Sequence, residues 1–133
     1  MVDHEVNYFW EAKKDTVHVI NDIDDESKSL VIQCKSKDDD LGEHYLRKGE
    51  EFKWRFRLQI FWHTLFFCRV RWENNKNRMF DSFKFTKEPK LCNYLDGGGE
   101  YFWKVKLDGI YFSCNGTDYH KRCEWDQNIE CSD

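Results

Sequence analysis

The chain has 133 residues, the length of one domain, with 21 basic and 25 acidic side chains and a net charge of −4, so the charge balance gives no reason to expect a nucleic-acid or anionic-membrane partner. No apolar run approaches the ~20 residues needed to span a bilayer; the densest, Leu58 to Trp72, is broken by Gln59, His63, Arg69 and Arg71. Aromatic residues make up 17% and cysteines number six, a composition that leans toward strands reinforced by three disulfides.

In chain order, residues 1–15 show no periodicity and are expected to form a flexible arm, and residues 16–133 one domain. Met1-Val2-Asp3-His4-Glu5 lacks the apolar core of a signal peptide. The chain is therefore either cytosolic or lacks a leader removed earlier, and the cysteines favour the second. Thr16 to Asn21 and Leu30 to Lys35 are short β-branched runs, with the acidic loop Asn21 to Ser27 between them. Ser36 to Gly42, containing Asp38, Asp39 and Asp40, is predicted to be a loop. Glu51 to Arg57 alternates Phe52, Trp54 and Phe56 against Lys53, Arg55 and Arg57, which predicts a strand with one buried and one wet face.

Thr64 to Trp72 is apolar on both faces at its centre, as for an interior strand. Glu73-Asn74-Asn75-Lys76-Asn77 follows as a polar loop, in which asparagine tolerates left-handed backbone. Met79 to Phe85 points Phe83 and Phe85 inward. The single proline, Pro89, and Asp96 to Gly99 fall in a loop. Tyr101 to Leu107 places Trp103, Val105 and Leu107 inward. Asp108-Gly109 predicts a type I′ hairpin turn leading to Ile110 to Cys114, with Lys121 to Asp126 as a last, weaker strand. The sum is an all-β, antiparallel, disulfide-stabilised β-sandwich of about eight strands.

Chemistry-bearing patterns are sparse. Cys114, His120, Cys123 and Cys131 match no familiar zinc spacing, and Asp38-Asp39-Asp40 lacks the alternation of a calcium loop. The histidines His4, His18, His44, His63 and His120 are scattered, and no nucleophile motif is present, so the chain is read as a non-enzyme without cofactor or metal. Trp62, Trp72, Trp103 and Trp125 are considered as sugar-stacking rings, but Trp72 and Trp103 sit at inward strand positions. The cations of Glu51 to Arg57 fall on the face opposite the rings, which argues against a stacking platform for nucleic acid. Asn115-Gly116-Thr117 is an N-glycosylation sequon, meaningful only in a secreted chain.

Cys34-Lys35-Ser36-Lys37-Asp38-Asp39-Asp40-Leu41-Gly42 resembles the signature loop of the plant self-incompatibility S1 family, the S-protein homologues. Val17 to Asn21, Phe52 to Phe56, Thr64 to Cys68, Phe80-Asp81, Trp103 to Val105 and Asp108 to Tyr111 follow in the family's order, so the resemblance runs from about Thr16 to Trp125. It implies a small secreted plant β-sandwich with no enzymatic activity or cofactor. The family's founding members are female determinants of poppy self-incompatibility, pistil ligands recognised by a pollen membrane protein. Their recognition triggers calcium signalling and pollen death.

The chain departs from the family where Tyr101 and Phe102 replace the cysteine often found just before the tryptophan. Six cysteines allow 15 connectivities. The resemblance suggests that Cys34, Cys68, Cys92 and Cys123 pair among themselves, as Cys34–Cys123 and Cys68–Cys92, leaving Cys114 with Cys131. It also suggests a structural role for the signature loop, with Gly42 in a left-handed turn and Asp38, Asp39 and Asp40 capping backbone amides.

The resulting expectation is a secreted monomeric signalling ligand for a plasma-membrane receptor protein of another cell. Three loops are expected to make the contact: Asn21 to Ser27 with Asp22, Asp24 and Asp25; Glu73 to Arg78 with Glu73, Asn74, Asn75, Lys76, Asn77 and Arg78; and Glu88 to Gly99. A carbohydrate or cell-wall binding module, or a defence effector, is the alternative.

Overall fold

The computed structural model describes residues 14–57, 64–85, 92, 98–126 and 131. Among them are nine strands: β1 (Lys14–Asn21), β2 (Leu30–Lys35), β3 (Asp40–Leu46), β4 (Glu51–Arg57), β5 (Thr64–Trp72), β6 (Lys76–Phe85), β7 (Glu100–Lys106), β8 (Gly109–Ser113) and β9 (His120–Cys123). They form a five-stranded sheet in the order β4-β1-β7-β8-β9 and a four-stranded sheet in the order β3-β2-β5-β6. The expected all-β sandwich is therefore the observed fold, with one departure from antiparallel order: β1 and β7 run parallel, Thr16 opposite Glu100 and Asn21 opposite Val105.

The inward side chains follow the period of two. Phe52, Trp54 and Phe56 of β4 face the four-stranded sheet, where Phe56 packs 4.7 Å from both Phe66 and Phe83 and Trp54 lies 5.5 Å from Phe66. Trp103 sits between Phe80 and Phe112, at 4.8 and 4.6 Å, and its indole N–H donates to the Ser82 carbonyl at 2.9 Å. A buried tryptophan with a satisfied donor combines a large apolar area with a fixed orientation. On the outer face of the five-stranded sheet His18 stacks on Phe102 at 4.4 Å, with Nε2 2.8 Å from Glu100 and Nδ1 3.3 Å from Glu51. One side chain of β1 thereby reaches β4 and β7 together.

Several expectations are corrected. β1 begins at Lys14, so Lys14 and Asp15 belong to the sheet rather than to an arm; residues 1–13 lie outside the described residues, as do Trp62, His63 and Pro89. β3 was not anticipated. It is an edge strand with mostly exposed or half-buried side chains, so no apolar alternation marks it. The β7–β8 turn is Leu107-Asp108, one residue earlier than expected, with Gly109 already paired to Lys106. Leu107 consequently stands 55% exposed instead of in the core. In the β5–β6 turn the left-handed residue is Glu73 (φ 55°), not an asparagine.

The disulfides also differ from the expected set. They are Cys34–Cys68, Cys92–Cys114 and Cys123–Cys131. Cys34 and Cys68 are direct partners in the β2–β5 register, with Cα atoms 4.0 Å apart, which leaves neither available to Cys123 or Cys92. Cys123 lies in β9, at the edge of the other sheet. Cys114 follows β8 and meets Cys92, not Cys131. On the chain-entropy account a bridge closing 34 residues stabilises by about 4 kcal/mol and one closing 8 by about 2–3 kcal/mol.

Gly109 has φ +154°, and a Cβ there would meet the Cys123 carbonyl oxygen and lie 2.8 Å from Lys121 Cε. Gly109→Ala is expected to destabilise the fold by more than about 1 kcal/mol in chemical denaturation, because backbone of the neighbouring strand must shift; an unchanged midpoint would contradict the close β8–β9 approach.

Candidate functional site

The strand directions place the β1–β2 and β3–β4 crossovers between the sheets, and the β5–β6 and β7–β8 hairpin turns, at one end of the sandwich. Asn21, fully buried, is the hub of that end. Its Nδ2 donates to the Leu46 carbonyl at 2.8 Å, and its Oδ1 accepts from the Ile23 amide at 2.9 Å. Its backbone N–H donates to the Glu50 carbonyl, and its own carbonyl accepts from Gly49. Ile23, 1% exposed, anchors the β1–β2 loop in the core. The aspartates around it are thus held on a fixed backbone.

Ion pairs join the loops to one another. Asp24 meets Lys48 of the β3–β4 connection at 2.6 Å, Lys28 meets Glu73 of the β5–β6 turn at 3.1 Å, and Asp22 meets Lys106 of β7 at 3.1 Å. The hydrogen bond from Lys48 holds the Asp24 carboxyl below the usual carboxylate range, and the Ser27 hydroxyl and amide do the same for Asp25. Glu26 is exposed and Asp25 half-buried, and neither has an ion pair among the described residues, so the loop presents acidic charge beside the Asp24–Lys48 pair.

The expected receptor residues are therefore only partly together. Asp22, Asp24, Asp25, Glu73, Asn74 and Asn75 share this end, but Lys76, Asn77 and Arg78 belong to β6. Arg78 is 5% exposed and its guanidinium donates to the carbonyls of Met79 and Asp126, so it is structural. The third loop, Glu88 to Gly99, is described only at Cys92, Gly98 and Gly99; Gly99 receives the Thr16 amide at the opposite end of the sandwich. Lys48 and Lys106 were missed by sequence reasoning, and Asn21, placed in the expected loop, was not read as its buried hub. Recognising Arg47-Lys48-Gly49-Glu50 as a turn between two strands would have exposed the first of them.

The signature loop also lies at the opposite end. Gly42 has φ +86°, and its amide donates to Asp40 Oδ1 at 2.9 Å, the contact that lowers the Asp40 pKa most. The Asp39 amide donates to Ser36 Oγ, and the Ser36 amide to the Asp39 carbonyl. Asp40 is the aspartate whose side chain caps a backbone amide, while Asp38 shows no such contact. Trp72, Trp103 and Trp125 are all buried and offer no open ring face for a sugar. Cys114, Cys123 and Cys131 are consumed by disulfides, which removes the candidate zinc set.

The geometry defines a disulfide-braced, two-sheet β-sandwich that displays a rigid, ion-paired cluster of loops from one end. The chain belongs to the plant self-incompatibility protein S1 family, whose model matches residues 16–125. It is 36% identical over 110 residues to S-protein homolog 29 of Arabidopsis thaliana, covering 83% of this chain and 76% of that protein. It is 34% identical to S-protein homolog 2 of the same plant, covering 92% and 75%. With S-protein homolog 24, also from Arabidopsis thaliana, the match is 38% over 82 residues, or 62% of this chain and 51% of the relative. A solved structure described as SPH (Self-Incompatibility Protein Homologue) proteins, small, highly stable, secreted proteins from plants, superposes with a TM-score of 0.62 at 18% identity, covering 83% of this chain and 92% of that one.

Asn21→Ala leaves the Leu46 carbonyl and Ile23 amide without their buried partner and is expected to cost about 1–3 kcal/mol of stability by urea denaturation; a cost near zero would show that Asn21 does not organise this end. The Asp24 pKa is lowered, so the Asp24–Lys48 contribution is fully present above the ordinary value of about 3.9 and lost only as pH falls through the lower folded value. A carbon-detected NMR titration of Asp24 should place its midpoint below that of an unstructured aspartate; a midpoint at or above it would deny the pair in solution.

Proposed function

We propose that the protein is a small secreted plant ligand that docks on a cell-surface receptor through the Asp22 to Ser27 loop and the loops ion-paired to it. Secretion is supported by the three disulfides, which suit an oxidising compartment, and by the description of the structural relative as secreted. The observation that carries the binding role is the fixed display of charge. Asp24, whose side chain is 93% exposed, is held by Lys48 above a backbone locked by Asn21. Loops on a rigid frame are the usual seat of recognition, and pre-ordering them lowers the entropic cost of binding. The acidic tip formed by Asp25 and Glu26 selects a receptor surface of basic character, since complementary charge raises association rates and rejects like-charged partners.

The test is the binding of labelled, folded protein to plasma membranes of the source plant's cells. Combined Asp25→Lys and Glu26→Lys substitution should weaken binding at least about tenfold, equivalent to about 1.4 kcal/mol, while circular dichroism shows the β-sandwich still folded and a modest fall in melting temperature reflects the lost Asp25–Ser27 hydrogen bonds. Full-strength binding by this variant, or retention on cell-wall glucan in place of membranes, would overturn the proposal.

A further inference from the structure

The β8–β9 connection bears the sequon Asn115-Gly116-Thr117, and the fold uses the same residues for a different purpose. Asn115 Oδ1 faces the Ser113 hydroxyl at 2.8 Å, the Thr117 amide and hydroxyl at 2.9 and 3.0 Å, and the Asp118 amide at 2.9 Å. Asn115 Nδ2 donates to Asp118 Oδ2 at 2.8 Å. Ser113, 1% exposed, accepts the amides of Asn115 and Gly116 on its hydroxyl oxygen. Gly116 has φ +81°, and a Cβ there would touch the Phe102 ring at 3.4 Å. The loop is thus pressed onto the outer face of the five-stranded sheet. Cys114, immediately before the sequon, is bridged to Cys92.

N-glycosylation acts at the tripeptide Asn-x-Ser/Thr, where the asparagine nitrogen must reach the sugar donor in place of any partner that holds it. In the folded protein Nδ2 is held by Asp118, and the Thr117 hydroxyl is spent on Oδ1. We propose that Asn115 is an acceptor for an N-linked oligosaccharide only while the chain is unfolded, and that folding then turns the same carboxamide into the hub of the β8–β9 loop.

In the transfer, Nδ2 attacks the anomeric carbon of a lipid-pyrophosphate-linked oligosaccharide. The nitrogen–carbon bond forms, the bond from that carbon to the pyrophosphate oxygen breaks, the lipid pyrophosphate leaves and the amide proton passes to a base of the transferase. Afterwards Nδ2 keeps one hydrogen for Asp118, and Oδ1 keeps its acceptor capacity, so a glycosylated chain can still close the loop. A glycan here sits at the end opposite Asp22 to Ser27 and leaves those loops open. In the cell this inference rests on the secreted reading above, because the donor and transferase belong to the secretory pathway.

The experiment uses purified oligosaccharyltransferase with its lipid-linked donor, so it is independent of where the plant sends the protein. The full-length chain is offered once oxidised and folded, and once reduced and denatured. Mass spectrometry should find a glycan on Asn115 in the reduced chain, removable by peptide N-glycosidase, little or none in the folded chain, and none in Thr117→Ala. Equal modification of both forms would overturn the locking of the amide. No modification of the reduced chain would overturn the acceptor assignment. Failure of secretion in plant tissue would instead strike the functional reading alone.

Discussion

β1 is hydrogen-bonded along both edges, antiparallel to β4 and parallel to β7, and carries buried side chains on both of its faces. Every other part of the five-stranded sheet takes its position from this strand. Val17 and Val19 supply the inward apolar contacts, while His18 on the outer face reaches Glu51 of β4 and Glu100 of β7. Asp15 and Asn21, fully buried near its two ends, tie it to Gly99 and to the Leu46 carbonyl. Polar groups at such depth are tolerable only when hydrogen-bonded. Both of these are, so they fix the strand's register as well as its place.

The two ends of the sandwich are built differently. One gathers four short connections whose side chains pair across loop boundaries. The other holds the signature loop, the sequon loop and the start of β7, where the bonds run mainly between a side chain and its own nearby backbone. Exposed ion pairs contribute between zero and about 1 kcal/mol each, so the first end owes its rigidity to Asn21 and Ile23 beneath it. The charges above are free to be chosen for recognition.

Much of this was legible in the sequence wherever burial imposed a period. β4, β5 and β7 were plain from residues such as Phe52, Trp54 and Trp103, and the S1 family could be recognised from Cys34 to Gly42. What escaped depended on pairing between distant segments. The Cys34–Cys68 bridge follows from the β2–β5 register, and no local spacing encodes it. β3 escaped because an edge strand buries little and so shows no stripe. The position of Leu107 turned on a one-residue shift of a turn, which moves a side chain from core to solvent. At the candidate site the acids of Asp22 to Asp25 were visible, and the turn holding Lys48 was legible though its pairing was not, whereas Lys106 became a visible partner only once the strands were in place.

The cross-loop ion pairs also bear on how such a surface can change through descent. Asp24 with Lys48 and Lys28 with Glu73 join residues from separate connections, so a sign reversal at one position creates a like-charge clash until its partner reverses as well. Each pair is weak enough that the intermediate still folds. Lineages can therefore cross that step and arrive at an inverted charge pattern on an unaltered frame. Substitutions at positions 24 and 48, and at 28 and 73, would then be inherited as matched couples, giving a repertoire of distinct surfaces from a handful of paired exchanges.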